Sequence, residues 1–180
     1  MQSVGEVMAI GRTFRESLQK AFRSLEEGLN GFEPKETEYR DLDLGKIGFA
    51  TAFRLLKVKQ AFEEGHSNED VYKQTRIDPW FLYQIQKIIS VETKYDVPLH
   101  ELKYNGFSDN QIARMWNKTE DEIRQLRKRQ KILPTYKVVD TCAAEFVAKT
   151  PYCYSTYETE NEISPLNGKK VMILGGGPNR

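Results

Sequence analysis

Four stretches of this chain open on the same four-residue pattern, and that pattern limits what the chain can fold into. Thr13-Phe-Arg-Glu16, Ser67-Asn-Glu-Asp70, Ser108-Asp-Asn-Gln111 and Thr119-Glu-Asp-Glu122 each place a hydroxyl three residues ahead of an acidic or amide side chain. In such a capping box the hydroxyl accepts from the third backbone N–H, and the third side chain reaches back to the cap's own N–H. Apolar residues then follow at helical spacing. They are Phe14, Leu18, Ala21, Phe22 and Leu25 after the first box, and Val71 and Tyr72 after the second. Ile112, Met115 and Trp116 follow the third, and Ile123 and Leu126 the fourth. Asp78-Pro79 marks a further start, with Asp as cap and Pro at the first helical position. Phe81, Ile85, Ile88 and Ile89 form its expected inner face. The pattern predicts a series of short helices.

The breaks set their limits. A helix over 13–27 ends at Gly28, and the apolar stretch Val4 to Ile10 before it reads as a short strand or loop. Residues 28–45 carry Gly28, Gly31, Pro34 and Gly45 among charges, as a connector does. A second helix runs from Phe49 to Glu64, and Leu99 to Tyr104 forms another after Val97-Pro98. From 46 to 133 the chain reads as mostly helical, and Pro134 closes that region. Tyr136 to Asp140 is strand-like. Tyr152, Tyr154 and Tyr157 sit among Ser and Thr, poor for helix. Lys169 to Leu174 reads as a strand leading into Gly175-Gly-Gly-Pro178, the opening of a βα unit whose helix would follow.

Composition excludes several classes. The 180 residues are 39% hydrophobic and 29% charged, with net charge +1. That profile is globular and exerts no global pull on nucleic acid or membrane. No apolar run approaches the roughly 20 residues that span a bilayer, and the first residues are not patterned like a secretion signal. Cys142 and Cys153 are too few for a structural zinc site, which takes four ligands. A cytoplasmic protein with reduced thiols is expected.

Candidate chemistry is sparse. Residues 107–131 are spaced like a helix-turn-helix, so a stand-alone nucleic-acid-binding module is one reading. Its second helix would present Glu120, Asp121 and Glu122 to a polyanion, the wrong sign. Its basic residues Arg124, Arg127, Lys128, Arg129 and Lys131 come later, where they suit a helix C-terminus. Gly175, Gly176 and Gly177 could begin a phosphate-cradling loop, although Arg180 stands where the dinucleotide fingerprint needs its third glycine. His66 and His100 have no partner pattern and read as surface residues. Asp140, Glu145, Glu158 and Glu160 are not placed as a catalytic pair. The sequence shows no catalytic residues and no metal ligands.

The two ends carry a resemblance. Ser3-Val-Gly-Glu-Val-Met-Ala-Ile-Gly-Arg-Thr13 with Glu16-Ser-Leu-Gln-Lys-Ala21 resembles the segment that closes the first synthetase unit of carbamoyl-phosphate synthase large subunits. Val138-Val-Asp-Thr-Cys-Ala-Ala-Glu-Phe146, Tyr154-Ser-Thr-Tyr-Glu158 and Val171-Met-Ile-Leu-Gly-Gly-Gly-Pro-Asn-Arg180 resemble the opening of the second. Between them, Ile77-Asp-Pro-Trp-Phe-Leu82, Gly106-Phe-Ser-Asp109 and Ile123-Arg-Gln-Leu-Arg127 are similar to the family's helical oligomerisation domain. No motif matches from Phe32 to Phe62.

The resemblance implies a mainly α chain. Residues 1–27 would end the first (carboxyphosphate) ATP-grasp unit, and 28–133 would form the multi-helix oligomerisation domain. Residues 134–180 would be an extended connector ending in the first β-strand of an α/β, Rossmann-like pre-ATP-grasp domain. It implies a parent ligase that makes carbamoyl phosphate from bicarbonate and glutamine-derived ammonia for arginine and pyrimidine synthesis. That parent uses ATP with Mg²⁺ (or Mn²⁺), and a glutaminase small subunit is its partner. This span would hold no complete active site and no cofactor, would be inactive alone, and would self-associate through its helices, with Trp80, Phe81 or Trp116 available for the contact. Glu6 and Arg12 fall in the motif bordering the passage of the intermediate; lining that passage or forming a structural ion pair are both open to them.

Overall fold

The computed structural model describes residues 7–34, 43–94, 96–147, 152–165 and 167–173. Among them are seven helices: α1 (Phe14–Ser24), α2 (Arg54–Glu63), α3 (Asn68–Thr75), α4 (Pro79–Glu92), α5 (Leu99–Tyr104), α6 (Asp109–Met115) and α7 (Glu120–Arg129). A single 3-10 turn, Leu44–Lys46, precedes α2. Strands β1 (Thr135–Val138) and β2 (Cys153–Thr156) then pair antiparallel, Thr135 opposite Thr156 and Val138 opposite Cys153. The chain is therefore mainly helical with an extended C-terminal segment.

The helix starts follow the sequence pattern. Ser67, Ser108 and Thr119 each form the full reciprocal box, and Asp78 accepts from the Trp80 N–H ahead of Pro79. Thr13 makes only half of one. Its hydroxyl accepts from the Glu16 N–H at 3.2 Å. The Glu16 carboxylate instead accepts from the Arg12 N–H at 2.7 Å, because other groups draw it away from Thr13.

Several helix limits differ from the periodicity. Helix α1 stops at Ser24, since the Leu25 N–H folds back to the Phe22 carbonyl and Glu26 turns left-handed (φ 57°). Gly28 lies beyond that end. Helix α2 begins at Arg54, not Phe49, because the Arg54 guanidinium donates to the carbonyls of Ile47 and Thr75 and holds the preceding stretch in turns. On α4 the buried face is Leu82, Ile85, Ile88 and Val91, which leaves Phe81 42% exposed. The true face starts one residue later than the expected one.

The core is one apolar cluster. It holds Ile85 and Ile88 of α4, Leu56 and Val58 of α2, Val71 of α3, Leu102 of α5, Ile112 of α6 and Ile123 of α7. Phe22 of α1 stacks at 4.9 Å on Phe32, which is fully buried although no sequence motif pointed to it. Burial of this kind is worth about 25 cal/mol per Å² of apolar surface. Trp116 lies half-buried against this cluster, whereas Trp80 is 53% exposed and packs edge-on to Phe14 and Phe81.

Among the described residues, none after Ile132 joins the apolar cluster. Strand β1 ends at Val138, short of Asp140, whose carboxylate accepts from the Cys142 and Ala144 N–H groups and turns the chain. Residues 169–173 pair with no strand; Val171, Met172 and Ile173 are almost fully exposed. A strand needs a neighbour's backbone groups, and no described residue supplies them there. Residues 7–10 likewise carry no regular structure, and Leu174 lies outside the described residues.

Candidate functional site

The chemically rich region is the junction where α1, the α5–α6 corner and β2 meet. Glu16, Lys20, Arg23, Lys103, Gly106, Asp109, Ser155 and Tyr157 line a cleft of about 270 Å³ there. Local sequence explains the convergence. Positions 16, 20 and 23 fall at i, i+4 and i+7, one stripe of α1. Gly106 turns left-handed (φ 87°) between α5 and α6, and a Cβ there would lie 2.7 Å from the Glu16 Cα. Only glycine permits so close an approach of that corner to α1.

Glu16 is the hub of one half. Its side chain is 2% exposed. It accepts from the Arg12 N–H at 2.7 Å and the Thr156 hydroxyl at 3.0 Å, and it pairs with the Lys20 ammonium at 2.8 Å. Lys20 also donates to the carbonyls of Ile10 and Ser155. One carboxylate and one ammonium thus join the approach to α1, α1 itself and β2. Such bonds to charged groups are each worth about 1.5–3 kcal/mol.

Lys103 and Asp109 form the other half. The Lys103 ammonium donates to Asp109 at 2.7 Å and to the Phe107 carbonyl at 2.8 Å. Arg127 reaches Asp109 through two nitrogens at 3.1 and 3.2 Å. The Tyr157 ring lies beside both cations, 4.8 Å from the Lys103 nitrogen and 5.6 Å from the Arg127 guanidinium carbon. Arg23 donates to the Gly106 carbonyl at 2.6 Å, and among the described residues no carboxylate lies within ion-pair distance of it. One carboxylate therefore serves two cations with a third close by. Burial pulls the Lys103 ammonium down to about 8 against the pull of Asp109, and Arg127 and Arg23 add to the fall. Burial acts to raise Asp109, but Lys103 and Arg127 outweigh it and hold the carboxyl below its ordinary range. Burial also lowers Arg23 and raises the Tyr157 hydroxyl.

Another buried lysine sits in the hairpin. Lys137 faces Glu158 at 3.1 Å, Glu162 at 3.3 Å and Glu160 at 3.6 Å. Glu158 also pairs with Arg12 at 3.0 Å. Arg12, one of the two passage candidates, is therefore held in an ion pair between the approach to α1 and the hairpin. Glu6, the other, lies outside the described residues, as do Gly175, Gly176 and Gly177. His100 is exposed, His66 is half-buried, and neither Cys142 nor Cys153 is in a disulfide.

The helix-turn-helix spacing is real geometry, with Asn117 left-handed (φ 51°) between α6 and α7. Five of its charged side chains are committed within the protein. Glu122 closes its own capping box, Arg124 pairs with Glu120 and Asp121, and Arg127 is held by Asp109. The exposed start of α7 stays acidic, which opposes phosphate contact.

Among the described residues, no group of three or more His, Cys, Asp or Glu could hold a metal ion. Glu16, Asp109 and Glu158 are each paired with lysine or arginine, and no chemical step is assigned to them. No described helix is long and apolar enough to cross a membrane. Sequence reasoning placed Glu16 in a cap and a family motif and did not bring Lys103, Asp109, Arg127 and Tyr157 together. The available signal was the i, i+4, i+7 charged stripe of Glu16, Lys20 and Arg23 along α1.

Residues 6–131 match the family described as carbamoyl-phosphate synthetase large chain, oligomerisation domain. The whole chain is similar to carbamoyl phosphate synthase large chains of Pseudomonas aeruginosa (47% identical), Buchnera aphidicola (49%) and Archaeoglobus fulgidus (45%). It spans 18% of the length of each of these relatives. The match over the helices, joined to similarity along the full chain, means that this chain belongs to the carbamoyl-phosphate synthetase large chain family and carries its oligomerisation domain.

Proposed function

We propose that this chain links two ATP-using synthetase units and holds copies of the parent enzyme together, without an active site of its own. The observation that carries this reading is the family match over residues 6–131, which covers all seven helices. Residues 1–27 then end the first unit, 28–133 form the oligomerisation domain, and 134–180 lead into the second. The parent is a ligase that makes carbamoyl phosphate from bicarbonate and ammonia released from glutamine by a small subunit. It uses ATP with Mg²⁺ or Mn²⁺, works in the cytoplasm, and supplies arginine and pyrimidine synthesis. Glu6 borders the passage of the intermediate, and Gly175 to Gly177 open the second unit's phosphate-facing loop. Arg12 serves as a structural ion-pair partner, which its bond to Glu158 supports. Exposed Trp80 and Phe81, packed on half-buried Phe14, offer apolar surface for self-association.

Sedimentation over a concentration series tests the association role. Mass rising with concentration is expected, and a monomer throughout would overturn it. Assays with ATP, bicarbonate and an ammonia source should give no carbamoyl phosphate, and metal-dependent ATP turnover by the pure chain would overturn the absence of a site.

A further inference from the structure

The hairpin and the helical body are built on different physics. Buried residues of the body are mostly apolar, whereas the two buried residues of the hairpin strands are Lys137 and Thr156. The hairpin's larger side chains face outward, with Tyr136 47%, Val138 42% and Tyr152 61% exposed. Its described links to the body are polar. Thr156 donates to Glu16, the Ser155 carbonyl accepts from Lys20, Glu158 pairs with Arg12, and Tyr157 lies against Lys103 and Arg127. Lys20 also sits 5.6 Å from the Tyr154 ring. Within the hairpin, a second set of bonds, which shares Glu158 with the first, joins its own parts. Lys137 gathers Glu158, Glu160 and Glu162, the Tyr136 N–H donates to Asn161, and the Val138 N–H donates to Glu162.

From this division we infer that β1, β2 and residues 157–162 form a strap that detaches from the helical body as a unit while the body stays folded. Water can replace each link to the body, since a carboxylate, ammonium or hydroxyl leaving the junction regains its hydration. Apolar cores have no such substitute. Local opening of this kind defines a cooperative unit less stable than the whole. On the domain reading proposed above, the strap leads to the second unit, so its release lets that unit turn relative to the helices. Detachment itself does not depend on that reading, and the measurement below follows the strap alone.

The test is native-state hydrogen exchange on the 180-residue chain. The reporters are the Val139, Glu162 and β-ladder amides of the strap, which a detached two-stranded hairpin protects only marginally once the body no longer supports it, and the Ile88, Ile112 and Ile123 amides of the body. Strap amides should exchange at least tenfold faster than body amides, through an opening that low denaturant hardly accelerates. The pair Thr156→Val and Tyr157→Leu should speed strap exchange about tenfold further and leave body amides within twofold. Strap and body amides that shift together, or a strap unmoved by the pair, would overturn the strap. Should the double variant fail to fold, the unmodified chain decides: strap and body amides sharing one exchange rate across the denaturant series rule it out.

Discussion

Lys59 and Lys103 are buried to nearly the same depth, with side chains 2% and 6% exposed, yet their surroundings push them in opposite directions. Lys59 of α2 lies between two carboxylates, Glu63 at 2.7 Å and Glu92 at 2.8 Å. Burial, the largest influence, lowers its pKa, but the two carboxylates together outweigh it and the ammonium stands above its ordinary value. Lys103 shares a single carboxylate with Arg127, and burial wins. Depth alone does not decide the state of a buried cation; the count of carboxylates against cations around it does. The α2–α4 seam is overcompensated with negative charge. The junction beneath the strap is short of it.

Asp109 is therefore the group on which the junction depends most. Asp109→Asn would leave Lys103 and Arg127 together without their shared carboxylate, with Arg23 close by. Breaking a buried pair from that side typically costs about 3–5 kcal/mol. Lys103→Met should cost far less, about 1 kcal/mol or below, because Arg127 still pairs with Asp109 and an apolar side chain suits the site. Urea unfolding of both variants measures the difference. Equal losses would break the contrast, since they would mean that charge balance does not govern the junction.

The opposite seam offers the next effect. Lys59→Met removes the cation between Glu63 and Glu92, whose side chains are 34% and 27% exposed. Both carboxylates can turn toward water, so the cost should be about 1–2 kcal/mol, in the range of a lost hydrogen bond to a charged group. Urea unfolding again provides the measurement. A loss as large as that of Asp109→Asn would show that these carboxylates stay trapped despite their exposure.

This contrast also marks where sequence was readable. Ser67, Ser108 and Thr119 announced their helices because capping is local: both partners lie within four residues. The α4 stripe was readable to within one residue for the same reason. The junction was not, because its bonds join residues far apart. Glu16 meets Thr156 across 140 positions, and Arg12 meets Glu158 across 146. At Thr13 the local pattern was outbid, as Glu16 left the cap for partners that only the tertiary fold supplies. The strands were legible as extended chain, but their pairing depends on which backbone groups meet. Family resemblance came mainly from the two ends, and part of them, including Glu6 and Gly175 to Gly177, lies outside the described residues.

The smallest expected effect is the dependence on pH, and here the two lysines differ in sign. Lys103 has a folded value of about 8, below the roughly 10.4 of an unfolded lysine. Between those values the unfolded chain binds more protons than the folded one, so stability from this group rises as pH increases. From pH 7 to 9 the gain should be about 1 kcal/mol. Lys59, raised on folding, behaves the other way: its contribution is fully present below the unfolded value and is lost as pH climbs through the folded one. It contributes no change over pH 7 to 9. The stability difference between the unmodified chain and Lys103→Met should therefore shift by that amount across this interval, in favour of the unmodified chain. The difference between the unmodified chain and Lys59→Met should stay flat. Urea midpoints at pH 7, 8 and 9 read both. A flat Lys103 difference would place its folded value near that of an ordinary lysine and would mean that Asp109 compensates the junction fully. A falling difference would put Lys103 in the same class as Lys59, and the two seams would then be alike.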